Sequence, residues 1–414
     1  MKYFVLFLAI FFLFITGCGG EKDTEANSNG KITLQVWESY GNDEHKLFLK
    51  LIKDYEKSHP NISVKVSQIP WTGHEAKYRT ALTVGGAPDL GRIDTGFLAE
   101  LATNNAIYAL DDFGANDVAS EYLKAAFYSN KYKGKIYGLP DQITGVCLFY
   151  NKKLFKENGL DPDTPPKTWD EFIEFAKKLT HEDKKQYGFG MDNSLWWNFP
   201  YFNTFGTKFL SNDLKSCLLN SEQGIKAMQL KVDLYRKYKV EGGAWISGAI
   251  NPTVGFLNER YAMIFTGPWN VKNFQKSGID FGVSLIPAGP AGTSTNVGGT
   301  DMVIFKSSKH PKETYELLRY ITGADFQAKW GTQLSQIPTN LGAYKKMDIT
   351  NNPILGTFME QMKTAVPRPP IKKYGKIEEI INPEIEAALT GKKSVADALN
   401  DSVKRINKEV LSFE

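Results

Sequence analysis

The chain has 414 residues, of which 42% are hydrophobic and 13% aromatic, and its formal net charge is +4. This near balance of charge argues against a nucleic-acid-binding protein, which would carry a basic face or stripe. The length is too great for one comfortable hydrophobic core, so we expect two domains.

The amino terminus is typical of an exported lipoprotein. Lys2 and the apolar run after it are too short to span a bilayer and predict a signal peptide over residues 1–17. Residues 15–18 (ITGC) resemble the lipobox of bacterial lipoproteins, which implies that Cys18 becomes the first residue and carries lipid. The alternative is an ordinary signal peptide with a coincidental cysteine. Residues 18–30 consist of Cys18 and the polar stretch that follows it, and this stretch predicts a flexible tether.

Strand and helix patterns then alternate along the chain. Residues 32–37 and 62–66 alternate apolar and polar side chains as strands do, and a helical repeat follows each of them. Residues 89–94 form a short strand pattern with Asp94 at its exit. This order predicts a parallel sheet with right-handed crossovers.

Two apolar runs farther along, 146–150 and 261–265, have the length of buried strands. The second has the pattern of a parallel strand covered on both faces, and Gly267 and Pro268 end it. Trp269 follows at the position where open α/β sheets bind ligands, beyond the carboxyl end of a strand. The alternative for Trp269 is a core or lid residue.

The densest aromatic cluster is at residues 195–202. Two adjacent tryptophans on a helix cannot both face one core, so we expect Trp196 or Trp197 to point to solvent or to a cleft. The carboxyl-terminal part of the chain is predicted to be mostly helical. The predicted helices are 312–322, 325–333, 353–364 and 395–411.

Several segments, taken together in this order, resemble the extracellular solute-binding protein family 1 of bacterial ABC importers. Besides the lipobox, the matching segments are 87–95 (APDLGRIDT), 137–140 (YGLP), 146–155 (VCLFYNKKLF), 168–172 (TWDEF), 256–269 (FLNERYAMIFTGPW), 334–340 (LSQIPTN), 365–370 (AVPRPP) and 391–406 (GKKSVADALNDSVKRI). The resemblance extends over essentially the whole chain beyond the signal peptide.

This resemblance implies an α/β, two-lobed periplasmic-binding-protein-like fold of type II. Each lobe would be a mostly parallel sheet flanked by helices, and crossover strands would form a hinge. The implied boundaries are 30–141 and 298–344 for the first lobe, 146–295 and 345–414 for the second, and 142–145 and 296–299 for the hinge. Glycines in the hinge could absorb the backbone change of a closing motion.

A sugar site combines aromatic rings, which stack on apolar C–H faces, with planar polar groups that bind hydroxyls. By residue-level match, the resemblance assigns Trp269 as the stacking tryptophan, Asp94 as the first-lobe carboxylate and Tyr150 as the crossover-strand tyrosine. Further candidates are Trp37, Glu38, Trp71, Thr144, Trp197, Gly299 and Arg368. Asp94 could instead be a helix N-cap or a loop carboxylate, Tyr150 could simply pack in the sheet, and Arg368 could be a surface charge. Thr144 stands where maltose-binding members present a carboxylate.

The function implied is that of a monomeric receptor, lipid-anchored at the extracellular face of the membrane. It would capture a carbohydrate, in particular an oligosaccharide, and pass it to the permease of an ABC importer without a cofactor, a metal or a catalytic residue. One alternative is a lipid-anchored glycoside hydrolase, for which Glu38, Asp89, Asp94 and Asp141 supply candidate acids. Another is the same fold binding a non-sugar solute such as a polyol phosphate, which clustered arginines or lysines at the cleft would favour.

Overall fold

The computed structural model describes residues 30–413. The predicted signal peptide, Cys18 and most of the predicted tether lie outside the described residues. The strands are β1 (Ile32–Glu38), β2 (Ile62–Gln68), β3 (Leu90–Asp94), β4 (Lys131–Tyr132), β5 (Lys135–Ile136), β6 (Leu139–Thr144), β7 (Cys147–Asn151), β8 (Tyr187–Gly190), β9 (Tyr261–Thr266), β10 (Phe281–Ser284), β11 (Asn296–Ile304) and β12 (Val366–Pro367).

The α-helices cover most of the segments in which the sequence has a helical repeat. They are α1 (Asn42–Ser58), α2 (His74–Thr83), α3 (Leu98–Thr103), α4 (Ala115–Val118), α5 (Lys124–Tyr128), α6 (Lys152–Glu157), α7 (Trp169–Lys178), α8 (Leu195–Thr204), α9 (Glu222–Arg236), α10 (Pro252–Leu257), α11 (Val271–Ser277), α12 (Pro311–Ile321), α13 (Ala324–Leu334), α14 (Pro353–Met362), α15 (Tyr374–Leu389) and α16 (Val395–Glu409). The four helices predicted in the carboxyl-terminal part are confirmed as α12, α13, α14 and α16, with ends that shift by one or two residues.

The first sheet is built around the predicted βαβα segment. Strand β1 pairs in parallel with β2 on one side and with β3 on the other. Strand β11 then adds to β3 and β6 adds to β11, and both of these pairings are antiparallel. The sheet is therefore mixed rather than mostly parallel, because β11 enters it from the opposite end after the chain has passed through the second lobe.

The second sheet has the strand order β10-β7-β9-β8. Strand β9, which is buried along its whole length as predicted, pairs in parallel with β8 but antiparallel with β7. The prediction of parallel pairing therefore holds for only one of its two neighbours. The reason is that β7 enters the second sheet directly from β6 of the first sheet, with no helix between them. A strand that enters in this way need not be parallel to its neighbour, whereas a helical crossover would make it so.

Each sheet has its own hydrophobic core beneath its helices. We call the first sheet with its helices the first lobe, whose core includes Leu34, Leu51 and Ile304. The second lobe has an aromatic core that includes Phe172 and Phe189. Full burial of side chains of this size contributes about 1.5–3 kcal/mol each, so each lobe is held together by its own packing.

The chain crosses between the lobes at the β6–β7 junction and along β11. Gly299 of β11 has φ of 139°, a conformation that side chains with a Cβ rarely adopt. A Cβ at this position would lie only 2.1 Å from the carbonyl oxygen of Gln142. Glycine is therefore required where the two crossing strands meet. No helix within residues 30–413 is long and apolar enough to cross a membrane.

Candidate ligand-binding cleft

A cavity of about 1190 Å³ lies between the two lobes. This volume is at or above the upper end of the usual range for small-molecule sites, roughly 300–1,000 Å³. The lining residues used below are Glu44, Trp71, His74, Glu75, Arg79, Arg92, Asp94, Glu100, Gln142, Thr144, Asp192, Trp196, Trp197, Trp269, Gly299, Thr300, Arg368, Tyr374, Gly375 and Glu378. Both lobes supply them, so the position of each lobe determines the shape of the cavity.

Three tryptophans of the second lobe form one aromatic wall. The ring centroids of Trp196 and Trp197, at the start of α8, are 4.8 Å apart, and Trp269 lies 6.0 and 6.4 Å from them. Trp269 packs directly over Gly267, where a Cβ would lie 1.9 Å from the indole. The glycine that ends β9 therefore fixes the orientation of the ring that follows it.

Trp71 of the first lobe also lines the cleft and is 46% exposed. Its ring stacks on His74 with centroids 4.4 Å apart, and the imidazole Nδ1 lies 2.6 Å from the carbonyl oxygen of Trp71. The loop before α2 thus holds an indole in a fixed orientation with much of its surface free.

The base of the first-lobe side is a buried polar network around Arg92. Its Nε donates to Asp141 at 2.9 Å and its Nη1 donates to Ser39 at 3.2 Å. Its Nη2 donates to the Oε1 of Gln142. Gln142 in turn donates to Glu44 at 3.2 Å. Apart from the Oδ1 of Asp141, which has no partner within the described residues, these buried groups pair with one another and hold the side chains that face the cavity in place.

The cleft is acidic overall. Six carboxylates and three arginines line it, and among its described residues there is no lysine. Burial raises the pKa of Glu378 to about 7 and that of Asp192 to about 6, and it also raises the pKa of Glu75. Neither Glu378 nor the carboxylate of Asp192 has an ion-pair partner within the described chain.

Each arginine of the cleft is already bound to a carboxylate. Arg79 pairs with Glu75 and Glu100. Arg92 pairs with Asp141, and Arg368 pairs with Asp94 at 2.9 Å. A ligand anion would therefore have to compete with protein carboxylates for every guanidinium group.

Seven of the ten predicted site residues line this cavity. The seven are Trp71, Asp94, Thr144, Trp197, Trp269, Gly299 and Arg368. Asp94 caps no helix: its carboxylate binds Arg368 and the backbone N–H of Gly96. Arg368, with 8% of its side chain exposed, is not the surface charge that the alternative proposed.

The other three predicted site residues lie outside the cavity lining. Trp37 packs against Tyr78, with centroids 5.5 Å apart, because the register of β1 turns it toward α2. Glu38 is fully buried and binds His45. Tyr150 is buried in the second core, where its ring covers Gly282 of the neighbouring strand. None of the three is therefore positioned to contact a ligand in this cavity.

Several lining residues were not predicted. Trp196 could have been, since the argument about adjacent tryptophans applied to it equally. His74, Tyr374 and Glu378 lie on helices and carry no distinguishing motif. Thr300 follows the predicted hinge glycines directly, and this position in the sequence was the available signal.

Residues 50–357 match the family model described as bacterial extracellular solute-binding protein. The chain is similar to the sn-glycerol-3-phosphate-binding periplasmic protein of Brucella melitensis, with 29% identity over 339 residues that cover 76% of this chain and 77% of that protein. It is similar in structure to the GacH receptor of Streptomyces glaucescens, solved unliganded and with acarbose, with a TM-score of 0.83, 26% identity, and coverage of 91% of this chain and 98% of that chain. It is also similar to an ABC transporter solute-binding protein of Thermotoga lettingae bound with α-D-tagatose, with a TM-score of 0.84, 28% identity, and coverage of 91% and 99%.

Proposed function

This chain belongs to the bacterial extracellular solute-binding proteins, and on that premise we propose that it is the sugar-capturing component of an ABC importer. Its fold is the expected two-lobed, type II periplasmic-binding-protein-like fold. Membership of this family implies a location outside the cytoplasm and a binding role rather than glycoside hydrolysis. In the proposed role the protein binds a carbohydrate between its lobes and delivers it to transmembrane permease subunits.

The observation that carries this proposal is the composition of the cleft. A wall of three tryptophans faces a side whose polar groups are carboxylates, amides, hydroxyls and three arginines already paired with carboxylates. Indole rings stack on the apolar faces of a sugar, and fixed polar groups bind its hydroxyls. The structural relatives in complex with acarbose and α-D-tagatose support a carbohydrate ligand.

The cavity volume supports an oligosaccharide. At about 1190 Å³ the cleft exceeds what one pyranose ring fills, and its aromatic residues lie on both lobes. The proposed contacts are Trp71, Asp94, Thr144, Trp197, Trp269, Gly299 and Arg368, joined by Trp196. The proposed lobes, 30–141 with 298–344 and 146–295 with 345–414, would close about a hinge at 142–145 and 296–299.

The similarity to a glycerol-phosphate-binding protein favours a second candidate ligand, a polyol phosphate. The charge of the cleft opposes it. A phosphate group needs guanidinium or ammonium donors, and all three arginines here are bound to carboxylates. An uncharged sugar requires no displacement of these ion pairs.

The proposed protein is a monomer held at the extracellular face of the membrane by lipid on Cys18. The lipobox-like sequence and the polar tether after it support this part of the proposal. Expression of the full-length chain and of Cys18→Ser in a bacterial host tests it, with the membrane fraction and the medium assayed separately. We expect the wild type in the membrane fraction and the variant in the medium. Wild-type protein found in the medium rather than in the membrane fraction contradicts the proposed lipid anchor.

A thermal-shift panel tests the ligand class. The purified protein is melted with monosaccharides, neutral oligosaccharides of increasing length and glycerol 3-phosphate. A ligand at a hundredfold excess over its Kd adds about 2.7 kcal/mol of stability. We expect stabilisation by a neutral sugar and none by glycerol 3-phosphate. Stabilisation by the phosphate alone, or by no carbohydrate, contradicts the proposal.

A further inference from the structure

Thr300 lies at the centre of a row of polar side chains at the base of the cleft. In β11 it is directly opposite Asp94 of β3 on one side and Gln142 of β6 on the other. Residues directly opposite each other in antiparallel strands project to the same face, with Cα atoms about 4.5–5.5 Å apart. All three line the cavity. The sheet register therefore places a hydroxyl between a carboxylate and an amide.

The two outer members of this row have protein partners, whereas the middle one has none. Asp94 accepts from Arg368, and Gln142 donates to Glu44 and Gln336. Thr300 is 2% exposed, yet its Oγ1 forms no hydrogen bond within the described chain. A buried hydroxyl without a partner is unfavourable and requires an explanation, and beside a cleft a ligand group can supply the missing partner.

An aromatic surface lies next to this hydroxyl along the same strand. Gly298, two residues before Thr300, faces the ring of Trp196, and a Cβ there would lie 2.9 Å from that ring. Two residues of a strand span about 6.6 Å, so the backbone position that faces the indole and the one that carries the hydroxyl are roughly one sugar-ring width apart. A ring that stacks on Trp196 can thus bring a peripheral hydroxyl to Thr300.

We propose that Thr300 is a specificity-determining residue whose Oγ1 pairs with one hydroxyl group of the bound sugar. The inference rests on the proposed function and adds to it a basis for discriminating between sugars. The hydroxyl of Thr300 can donate or accept a hydrogen bond, so it fits a sugar hydroxyl in either orientation. A sugar that lacks this hydroxyl leaves the Thr300 group unpaired in the closed cleft and is rejected.

Three variants separate this role from a structural one. Thr300→Val removes the hydroxyl with little change of shape, and Thr300→Ser retains it. Thr207→Val is the matched control, because Thr207 is also buried with an unpartnered Oγ1 but does not line the cleft. Affinity for the tightest sugar of the panel is measured by titration calorimetry, and the melting temperature of each free protein is measured in parallel.

We expect Thr300→Val to weaken binding by at least about tenfold, and the other two variants to stay within about threefold of the wild type. The free Thr300→Val protein should melt no lower than the wild type, because the lost hydroxyl has no protein partner. Affinity of Thr300→Val within twofold of the wild type overturns the role of Thr300 alone. A wild type that binds no sugar overturns the proposed function and this role with it.

A set of monodeoxy analogues of the sugar gives a second test that does not require the variant to have wild-type stability. With the wild type, one analogue should bind at least about tenfold more weakly than the parent sugar. With Thr300→Val, that analogue and the parent sugar should bind equally well. Thr300→Ala replaces Thr300→Val if the latter does not fold. If every analogue loses as much with the variant as with the wild type, no sugar hydroxyl pairs with Thr300 and the inference is wrong.

Discussion

Arg368 holds Asp94 through one nitrogen, with its Nη2 donating to both carboxylate oxygens at 2.9 and 3.0 Å across 274 positions of sequence. Asp94 ends β3 of the first lobe, whereas Arg368 follows β12 and leads into α15 of the second. The same Nη2 also donates to Thr95. This contact therefore joins the two sides of the cleft.

Loss of this pair should destabilise the ligand-free protein. Arg368→Ala leaves a largely buried carboxylate without its cation, and we expect a loss of about 1–3 kcal/mol in the free energy of unfolding, measured by urea denaturation. Arg405→Ala is the control, because the Arg405–Glu409 pair is exposed and should cost less than about 0.5 kcal/mol. Equal losses of unfolding free energy in the two variants would show that the Arg368–Asp94 pair stabilises the protein no more than an exposed pair does.

Removal of the indole at position 269 should abolish ligand-induced stabilisation. Trp269 is partly exposed and packs on Trp196 and Trp197, so Trp269→Ala removes a stacking surface while the core remains. We expect the sugar-induced thermal shift to disappear and the melting temperature of the free protein to change by only a few degrees. Trp245→Ala, outside the cleft lining, should keep the full shift. A retained shift in Trp269→Ala would mean that the sugar binds elsewhere.

A methyl group added at position 267 should also weaken sugar binding, because it lies beneath the Trp269 ring and displaces it. The Cβ of Gly267→Ala would lie 1.9 Å from the Trp269 indole, so the ring must move. We expect at least about tenfold weaker sugar binding, together with a changed tryptophan emission spectrum of the free protein. Gly375→Ala is the control within the cleft, since a Cβ there meets nothing within 4 Å. Unchanged binding by Gly267→Ala would contradict a fixed ring orientation.

Glu378 should make stability fall as pH rises toward neutrality. Burial raises its pKa from 4.5 to about 7, so between these values the folded protein keeps a proton that the unfolded chain has released. Its stabilising contribution is therefore complete below pH 4.5 and is lost as the pH rises through 7.

Glu378→Gln removes this titration. Between about pH 4.5 and 7.5 the wild type should lose roughly 3 kcal/mol more unfolding free energy than the variant. Urea denaturation at a series of pH values measures the difference. Glu379→Gln, on the exposed side of the same helix where Glu379 binds Lys376, should keep the wild-type profile. Parallel profiles for wild type and Glu378→Gln would show that Glu378 is ionised throughout this range.

The helices, the strands and the general position of the cleft could be predicted from the sequence more reliably than the individual residues that line the cleft. Apolar periodicity located β1, β9 and the late helices, because burial on one or both faces leaves a pattern in the residues themselves. It could not determine which of two adjacent strand residues faces the ligand. Trp37 and Glu38 point to opposite faces of the sheet, Trp37 toward Tyr78 and Glu38 toward His45, and neither lines the cavity.

The polar row illustrates the same limit. Asp94, Gln142 and Thr300 are far apart in the chain, and only the antiparallel placement of β11 aligns them. That placement depends on how the chain returns from the second lobe, which no local pattern encodes. The lobe and hinge boundaries, too, stay predictions that a structure in a second conformation would test.

The Arg92 network indicates where new ligand preferences can evolve. Its partners Ser39, Asp141 and Gln142 come from two segments of the chain, and a substitution at any one of them leaves a buried donor of Arg92 without its partner. Trp71 contacts this network only through its ring, whose centroid lies 6.0 Å from the Arg92 guanidinium, and it is 46% exposed. Glu378 has no ion-pair partner within residues 30–413 and does not belong to the network. Descendants of this receptor that adapt to different nutrients should therefore diverge at the edge while inheriting the base unchanged.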